Sequence, residues 1–183
     1  MRSGATIRKL SPRDEPLFRE HLLRLDAPSR HDRFLSAVND NFLGEYARSC
    51  FEGDTLVLGL IEGELLRAAG ELHAIEPRET QAGEVALSVE PEFRNKGTAT
   101  RMLKRLIIAA RNRGFRHLRM NCHAKNLAMQ AIARKFRAEL TIEQGATVGR
   151  IEPGPRTAFS LLVEALSHAG EIGKAVIGLA EPR

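Results

Sequence analysis

The stretch Arg94-Asn95-Lys96-Gly97-Thr98-Ala99-Thr100 sets two cations and a glycine at the entrance to an apolar-periodic run, Ala99, Met102, Leu103, Leu106, Ile107 and Ala110. Apolar residues at that spacing form one face of a helix, so the segment is a loop delivering the chain into a helix N-terminus. A glycine at the bend lets the backbone approach a ligand closely, and the unpaired N–H groups of the first turn point at whatever sits there. Arg94 through Thr100 therefore reads as an anion cradle. Each charge interaction with a helix N-terminus is worth only about 0.3–1 kcal/mol when exposed. Holding a diphosphate thus takes several N–H groups together with Arg94 and Lys96. The spacing is neither the phosphate loop with its Gly-Lys-Ser/Thr ending nor the Gly-x-Gly-x-x-Gly dinucleotide fingerprint.

Immediately before this loop lies Glu84-Val85-Ala86-Leu87-Ser88-Val89, a short β-type run that Pro91 cannot extend. Glu84 puts a carboxylate at the start of that strand, where it can accept a proton. Cys122 and His123 are adjacent in a later β-type run, which invites a nucleophile reading. Neighbouring strand residues point to opposite faces, however, so the two cannot act as a dyad there. Cys122 is expected in the core and His123 along a cleft. Cys50 is the only other cysteine, and there is no Cys-x-x-Cys or clustered histidine spacing, so neither a metal site nor a disulfide framework is indicated.

Arg94, Gly97 and Ala99 fill the Gln/Arg-x-x-Gly-x-Gly/Ala signature of the GNAT N-acetyltransferase superfamily, with Val89 and Pro91 supplying a Val-x-Pro-x-x-Arg lead-in. The chain resembles that superfamily over about residues 5–152. Two further segments resemble its bacterial protein-acetylating subgroup. Ser29-Arg30-His31-Asp32-Arg33-Phe34 is similar to a Glu-Ser-x-x-x-Arg-Phe segment, and Glu84 to Val89 is similar to the Glu-x-Ala-x-x-Val strand in which those members carry a catalytic glutamate.

The resemblance implies acetyl-CoA as co-substrate, no metal, and an amine as acceptor, with a protein lysine favoured over a small molecule. It implies that the loop Arg94, Asn95, Lys96, Gly97, Thr98, Ala99 and Thr100 holds the pyrophosphate, while Leu87, Ser88 and Val89, with Asn126 and Met129, hold the pantetheine arm. N-acetylation needs a neutral amine, and a lysine amine has an unperturbed pKa near 10.4. Something must remove its proton, and the resemblance gives that role to Glu84. A backbone N–H between Leu87 and Val89 would face the oxyanion. The chain departs from the common family frame at Ala133, which stands where many members carry a tyrosine, and at Arg137-Ala138, which replace Gly-Phe. A dedicated general acid is therefore lacking at Ala133. A thiol with a pKa near 8.5 leaves tolerably well without one.

The elements that must position these residues follow from period and punctuation. Residues 5–10 read as a strand, and Ser11-Pro12-Arg13-Asp14 as a helix start that buries Leu17, Phe18, Leu22 and Leu25. A single second helix is expected from Ser29 to Ser49, with Phe34, Leu35, Val38, Phe42, Leu43 and Tyr46 on its apolar side. Residues 54–61 and 65–75 form a hairpin across Glu62-Gly63-Glu64. The basic helix closes at Gly114, a strand spans 116–122, Asn126 caps a further helix, and two short strands span 140–144 and 147–151. That order resembles the GNAT arrangement, and the resemblance implies an α+β fold: a mixed, mainly antiparallel twisted sheet with helices on both faces, splayed beside the central strand to admit CoA.

Pro153-Gly154-Pro155 marks a boundary, dividing a domain at 1–155 from a helical extension at 156–183. Phe159, Leu162, Val163 and Leu166 are expected to bury a face of that extension against the domain or across a homodimer.

The chain has 183 residues, 43% of them hydrophobic and 28% charged, which fits one globular domain rather than a disordered chain. It lacks an apolar leader and any run near the ~18 apolar residues of a membrane span, so a cytoplasmic protein is expected. The net charge of +5 is concentrated between Phe93 and Ala138, where there are thirteen Lys or Arg residues and no Asp or Glu. Such a block suits a polyanionic cofactor or nucleic acid. Nucleic-acid binding would want interleaved aromatics, and the chain has one Tyr and no Trp. The alternatives to a protein acetyltransferase are a small-molecule amine acetyltransferase and a non-catalytic acyl-CoA sensor.

Overall fold

The computed structural model describes residues 4–75, 81–143 and 145–166. Seven strands form one sheet in the order β1-β2-β3-β4-β5-β7-β6: β1 Thr6–Lys9, β2 Leu56–Glu62, β3 Leu65–Ala74, β4 Ala82–Val89, β5 His117–His123, β6 Glu139–Glu143 and β7 Ala146–Ile151. All neighbours are antiparallel except β4 and β5. The helices are α1 Glu15–Arg24, α2 Ala27–Phe34, α3 Asp40–Glu52, α4 Thr98–Asn112 and α5 Leu127–Lys135. A sixth, α6, spans 158–166. The expected mixed, mainly antiparallel sheet with a C-terminal helix is thus observed.

Two cores sandwich the sheet. Met102, Leu103, Leu106 and Ala110 of α4 are buried against Leu58, Leu72, Val85, Leu118 and Met120. On the opposite face, Phe18 and Leu22 of α1 and Leu43 and Ala47 of α3 cover Val57, Leu66 and Ala69. The alternation of β-strand side chains decides which residues go where. Val85 joins the α4 core, while Glu84, Ala86 and Ser88 face the side of α1 and α2.

The basic helix starts and stops as its sequence predicts. Gly97 is its N-cap with φ 73°, and Gly114, with φ 81°, follows the C-cap Arg113. Only a glycine adopts that conformation at little steric cost. The α5 terminus breaks this rule. Arg137 takes φ 58° just past the helix, at the position where the family frame has its glycine. A Cβ in the left-handed region costs roughly 1–2 kcal/mol, partly offset by glycine's freer unfolded chain. Arg137→Gly is expected to raise stability by about 0.5–1 kcal/mol, readable as a higher urea midpoint at unchanged slope.

One expectation is corrected and another narrowed. The single helix from Ser29 to Ser49 is two helices: α2 ends with Leu35 left-handed at φ 57°, and Asn39 opens α3 by accepting the Phe42 N–H at 2.8 Å. An apolar stripe running through both concealed the break. Within the chain the stripe on α6 is not covered, since Phe159, Leu162 and Leu166 are 74%, 54% and 61% exposed, which leaves the homodimer as the remaining alternative for that face. Polar ties fix the rotation of α6 instead. Ser160 Oγ donates to Asn112 Oδ1 at 2.5 Å, and Glu164 accepts from Asn112 Nδ2 at 2.6 Å and from Arg113 at 3.2 Å. These turn Ser160 and Val163 inward and leave the larger apolar residues outside. Residues 167–183 lie outside the described part. No helix among the described residues is long and apolar enough to cross a membrane.

Candidate active site

The parallel β4–β5 pairing covers only Ala82 to Glu84 against His117 to Arg119. Beyond Glu84 the strands part, while β4 stays in register with β3 as far as Val89. The parity of the β3–β4 ladder is fixed at its ends: Glu90 N–H donates to Arg67 C=O at 3.0 Å, and Ala82 C=O accepts from Ile75 N–H at 2.9 Å. Even-numbered residues of β4 therefore bond to β3, and the N–H groups of Val85, Leu87 and Val89 turn towards the gap. A cleft of about 260 Å³ occupies it, lined by Glu84 to Val89, Ser29, Asp32 and Arg33, by Arg94 and Ala99, by Asn121, and by Asn126, Met129 and Ile132.

The cleft runs from the anion cradle to a carboxylate. At one end, Arg101 N–H is the first in α4 to bond back, to Gly97 C=O at 3.0 Å, so the N–H groups of Thr98, Ala99 and Thr100 precede the intrahelical ladder. Asn95 and Gly97 are both left-handed, a backbone pattern that helps gather N–H groups into an anion-binding concavity. Lys96 Nζ stands 5.1 Å from the Phe93 ring centre. Arg94 is turned inward, its Nε donating to Val89 C=O at 3.0 Å and its Nη2 to Ser29 Oγ at 2.6 Å. In this state it braces β4 against α2.

At the other end, half-buried Glu84 accepts a hydrogen bond from Asn121 Nδ2 at 3.3 Å. Its register neighbours are His73 on β3 and Arg119 on β5. Asn121 Oδ1 is buried without a partner among the described residues. The cleft thus offers a bare acceptor beside the carboxylate. Asp32, exposed on α2, is the other acid lining the cleft.

Of the residues expected to hold the cofactor, Leu87, Ser88, Val89, Arg94, Ala99, Asn126 and Met129 line the cleft, as does Glu84. Asn95, Lys96, Gly97, Thr98 and Thr100 form the loop and first turn at its mouth. Asn126 caps α5 by accepting the Met129 N–H at 3.0 Å. Ala133 does not line the cleft. It is fully buried, and a Cβ on Gly149 would stand 3.6 Å from its own. Cys122 is buried as expected, and burial raises its thiol pKa. His123 is stacked on His31 at 4.4 Å between ring centres.

Two buried polar clusters escaped sequence reasoning. In the first, Glu71 of β3 is fully buried, paired with Arg33 at 2.6 Å, and hydrogen-bonded by the Tyr46 hydroxyl and by His73 at 3.2 Å. Burial pushes the Glu71 carboxyl up, but the Arg33 charge and the bonds from His73 and Tyr46 outweigh it and hold the group well below the usual carboxylate range. Tyr46, expected as packing, is part of this network, and burial raises its pKa. Donor atoms of Cys50, Glu71 and His73 lie within 4.8 Å of one another, but the Arg33 guanidinium already occupies the carboxylate's charge. A cation there would be repelled.

The second cluster joins α1 to β4. His21, wholly buried, sits with Nε2 2.9 Å from Ser88 Oγ and Nδ1 3.3 Å from Glu90 Oε1, and Glu90 also takes Arg24 at 3.0 Å and Arg67 at 3.0 Å. Burial would raise the Glu90 carboxyl, but hydrogen bonds from His21, Arg67 and Arg24 prevail and lower it to about 2. The available signal was a histidine inside the apolar stripe of α1, at the spacing of Phe18, Leu22 and Leu25.

A larger cavity, about 410 Å³, lies between β1 and α4 with Lys9, Arg101, Lys104 and Val163 on its walls. It touches neither the β4–β5 gap nor the glycine loop.

The Acetyltransferase (GNAT) family matches residues 13–137. Among solved structures, the GNAT domain of S. lividans PAT is similar at 17% identity, with 81% of this chain and 90% of that one covered and a TM-score of 0.69. The yncA structure from Salmonella typhimurium with its cofactor acetyl-CoA is similar at 17% identity, 85% and 98% coverage and a TM-score of 0.63. The PaiA N-acetyltransferase from Thermoplasma acidophilum in complex with coenzyme A is similar at 18% identity, 81% and 99% coverage and a TM-score of 0.59. No curated protein sequence gives a match. At these identities the structural likenesses speak for the fold.

Proposed function

The chain belongs to the GNAT acetyltransferase family, and from that premise we propose that it transfers the acetyl group of acetyl-CoA to a primary amine, a protein lysine in preference to a small molecule, with Glu84 as general base. One observation carries the reading. The gap opened by the parting of β4 and β5 is lined by Arg94 and Ala99 at the end next to the N-terminus of α4, whose unpaired N–H groups suit a pyrophosphate, and by Glu84 towards the other.

The thioester arm fits along the free edge of β4, with the Leu87 and Val89 N–H groups turned towards it. As the amine nitrogen attacks the thioester carbon, negative charge grows on the carbonyl oxygen, and a fixed N–H aimed at that point stabilises it without reorganisation. Glu84 takes the ammonium proton before or during attack, directly or through a water. Asn121, donating to Glu84 at 3.3 Å, holds the carboxylate in orientation. Glu71 is no rival for this role, since its carboxylate is sealed and paired with Arg33. The thiolate leaves without a dedicated acid, as its pKa near 8.5 permits. The acidic and polar wall of Glu84, Asn121 and Asp32 suits a cationic side chain approaching from the α2 side.

Incubation with radiolabelled acetyl-CoA and a panel of lysine-bearing proteins, peptides and small amines tests the proposal. Label on protein lysines is the expected result. Transfer only to small amines would move the assignment to a small-molecule acetyltransferase, and cofactor binding with no transfer to any acceptor would make the chain an acyl-CoA sensor.

A further inference from the structure

Ser88, His21 and Glu90 stand in the relation of nucleophile, base and orienting acid. A carboxylate only accepts, so the His21 nitrogen facing Glu90 Oε1 at 3.3 Å carries a proton. In the neutral ring Nε2 is then an acceptor, 2.9 Å from Ser88 Oγ, which must donate to it. This is the constellation that activates a serine hydroxyl, recognised by geometry and roles whatever the fold or chain order. Arg24 and Arg67 on Glu90 offset its charge, so the carboxylate fixes the ring's tautomer without standing as a bare anion beside it. Ser88 lines the cleft. Its two neighbours, Leu87 and Val89, turn their N–H groups into the same gap.

We propose that Ser88 is a second nucleophile of this cleft, taking the acetyl group from acetyl-CoA as an O-acetylserine and, when no amine is present, passing it to water. The inference rests on acetyl-CoA occupying the cleft as described above, and adds an amine-independent thioester hydrolysis to it. In the first half, the Ser88 hydroxyl proton moves to His21 Nε2 as Oγ bonds to the thioester carbon. The C–S bond then breaks, and the proton passes from His21 to the departing sulfur, giving free CoA thiol. In the second half, a water loses a proton to His21 Nε2 and attacks the ester carbon. The C–Oγ bond breaks, the proton returns to Ser88, and acetate leaves. The balance is acetyl-CoA plus water to CoA thiol plus acetate and a proton released to solvent, with the enzyme restored. Glu84 takes no part, which separates this reaction from amine acetylation.

The experiment is incubation of the full chain with acetyl-CoA in the absence of any amine, following free thiol with time and mapping acetylated peptides by mass spectrometry after an acid quench. Calorimetry with CoA runs beside it. Thiol release and an acetyl group on Ser88 are expected in wild type. In Ser88→Ala the adduct disappears and release at saturating acetyl-CoA falls by about 10²–10⁴, the span of assisted proton transfer. His21→Gln is expected to behave likewise; if it does not fold, Ser88→Ala carries the test alone. CoA binding with neither adduct nor amine-independent release overturns the inference and leaves amine acetylation standing, with His21 a structural tie between α1 and β4. Equal release from wild type and Ser88→Ala overturns it too. Failure of wild type to bind CoA removes the cofactor reading itself, and this inference with it.

Discussion

Glu84→Gln should lower amine acetylation at neutral pH by about 10²–10⁴, the range that general base catalysis contributes. Glutamine keeps the size of the side chain and still accepts from Asn121 Nδ2 through its amide oxygen, so the wall of the cleft survives. What it loses is the capacity to take a proton. CoA affinity should hardly change, because the loop proposed to hold the pyrophosphate, residues 94–100, lies at the far end of β4. The pH profile carries the sharper signature. A lysine amine deprotonates without help only as pH approaches its own pKa near 10.4. Mutant turnover should therefore climb with pH well beyond the point where wild type levels off, narrowing the gap between them. A mutant as active as wild type at pH 7 would rule Glu84 out. Asp32, the other acid on the cleft wall, would then be the next candidate.

Legibility in the sequence followed the range of the interactions. The β4-loop-α4 unit is written in neighbouring residues: Pro91 cannot extend a strand, Gly97 and Gly114 take left-handed backbone at the two ends of the helix, and the period between them has the helical spacing. Its boundaries came within two residues. The same holds for the β2–β3 hairpin, whose Gly63 has φ 60° at the turn. Where one local signal overlaid another, the reading failed. Leu35 looks like a member of the apolar stripe from Phe34 to Tyr46, yet it is the left-handed residue that ends α2. A leucine gives no warning of that, whereas a glycine would have.

The buried polar clusters were out of reach for a different reason. Glu71 meets Arg33 across 38 positions of chain, and His21 meets Ser88 across 67. A charged residue within a buried strand signals only that a partner must exist; its identity depends on how α1 and α2 pack on the sheet. On α6, the hydrogen bonds of Ser160 and Glu164 to the end of α4 outweighed an apolar stripe that periodicity alone would have buried. Periodicity reports which residues share a face and is silent on what that face meets.

The loop at the other end of the cleft allows an equally large effect to be read without chemistry. Gly97→Val is expected to abolish measurable CoA binding. The glycine has φ 73°, a conformation that a β-branched side chain adopts only with strain. Apart from its chain neighbours, no atom of the described residues lies within 4 Å of the Cβ a side chain would add there, so packing does not forbid the substitution. The added branches instead enter the space through which a pyrophosphate must approach the Thr98, Ala99 and Thr100 N–H groups. Relieving the strain would also rotate those groups away from a common focus. Stability should fall modestly, by roughly the 1–2 kcal/mol of a left-handed non-glycine residue, leaving a folded protein for calorimetry. Gly97→Ala should show an intermediate affinity, because it imposes the strain with less bulk. If Gly97→Val bound CoA as tightly as wild type while keeping its fold, the N-terminus of α4 could not be where the pyrophosphate sits. The assignment of the β4–β5 gap to the thioester arm would go with it.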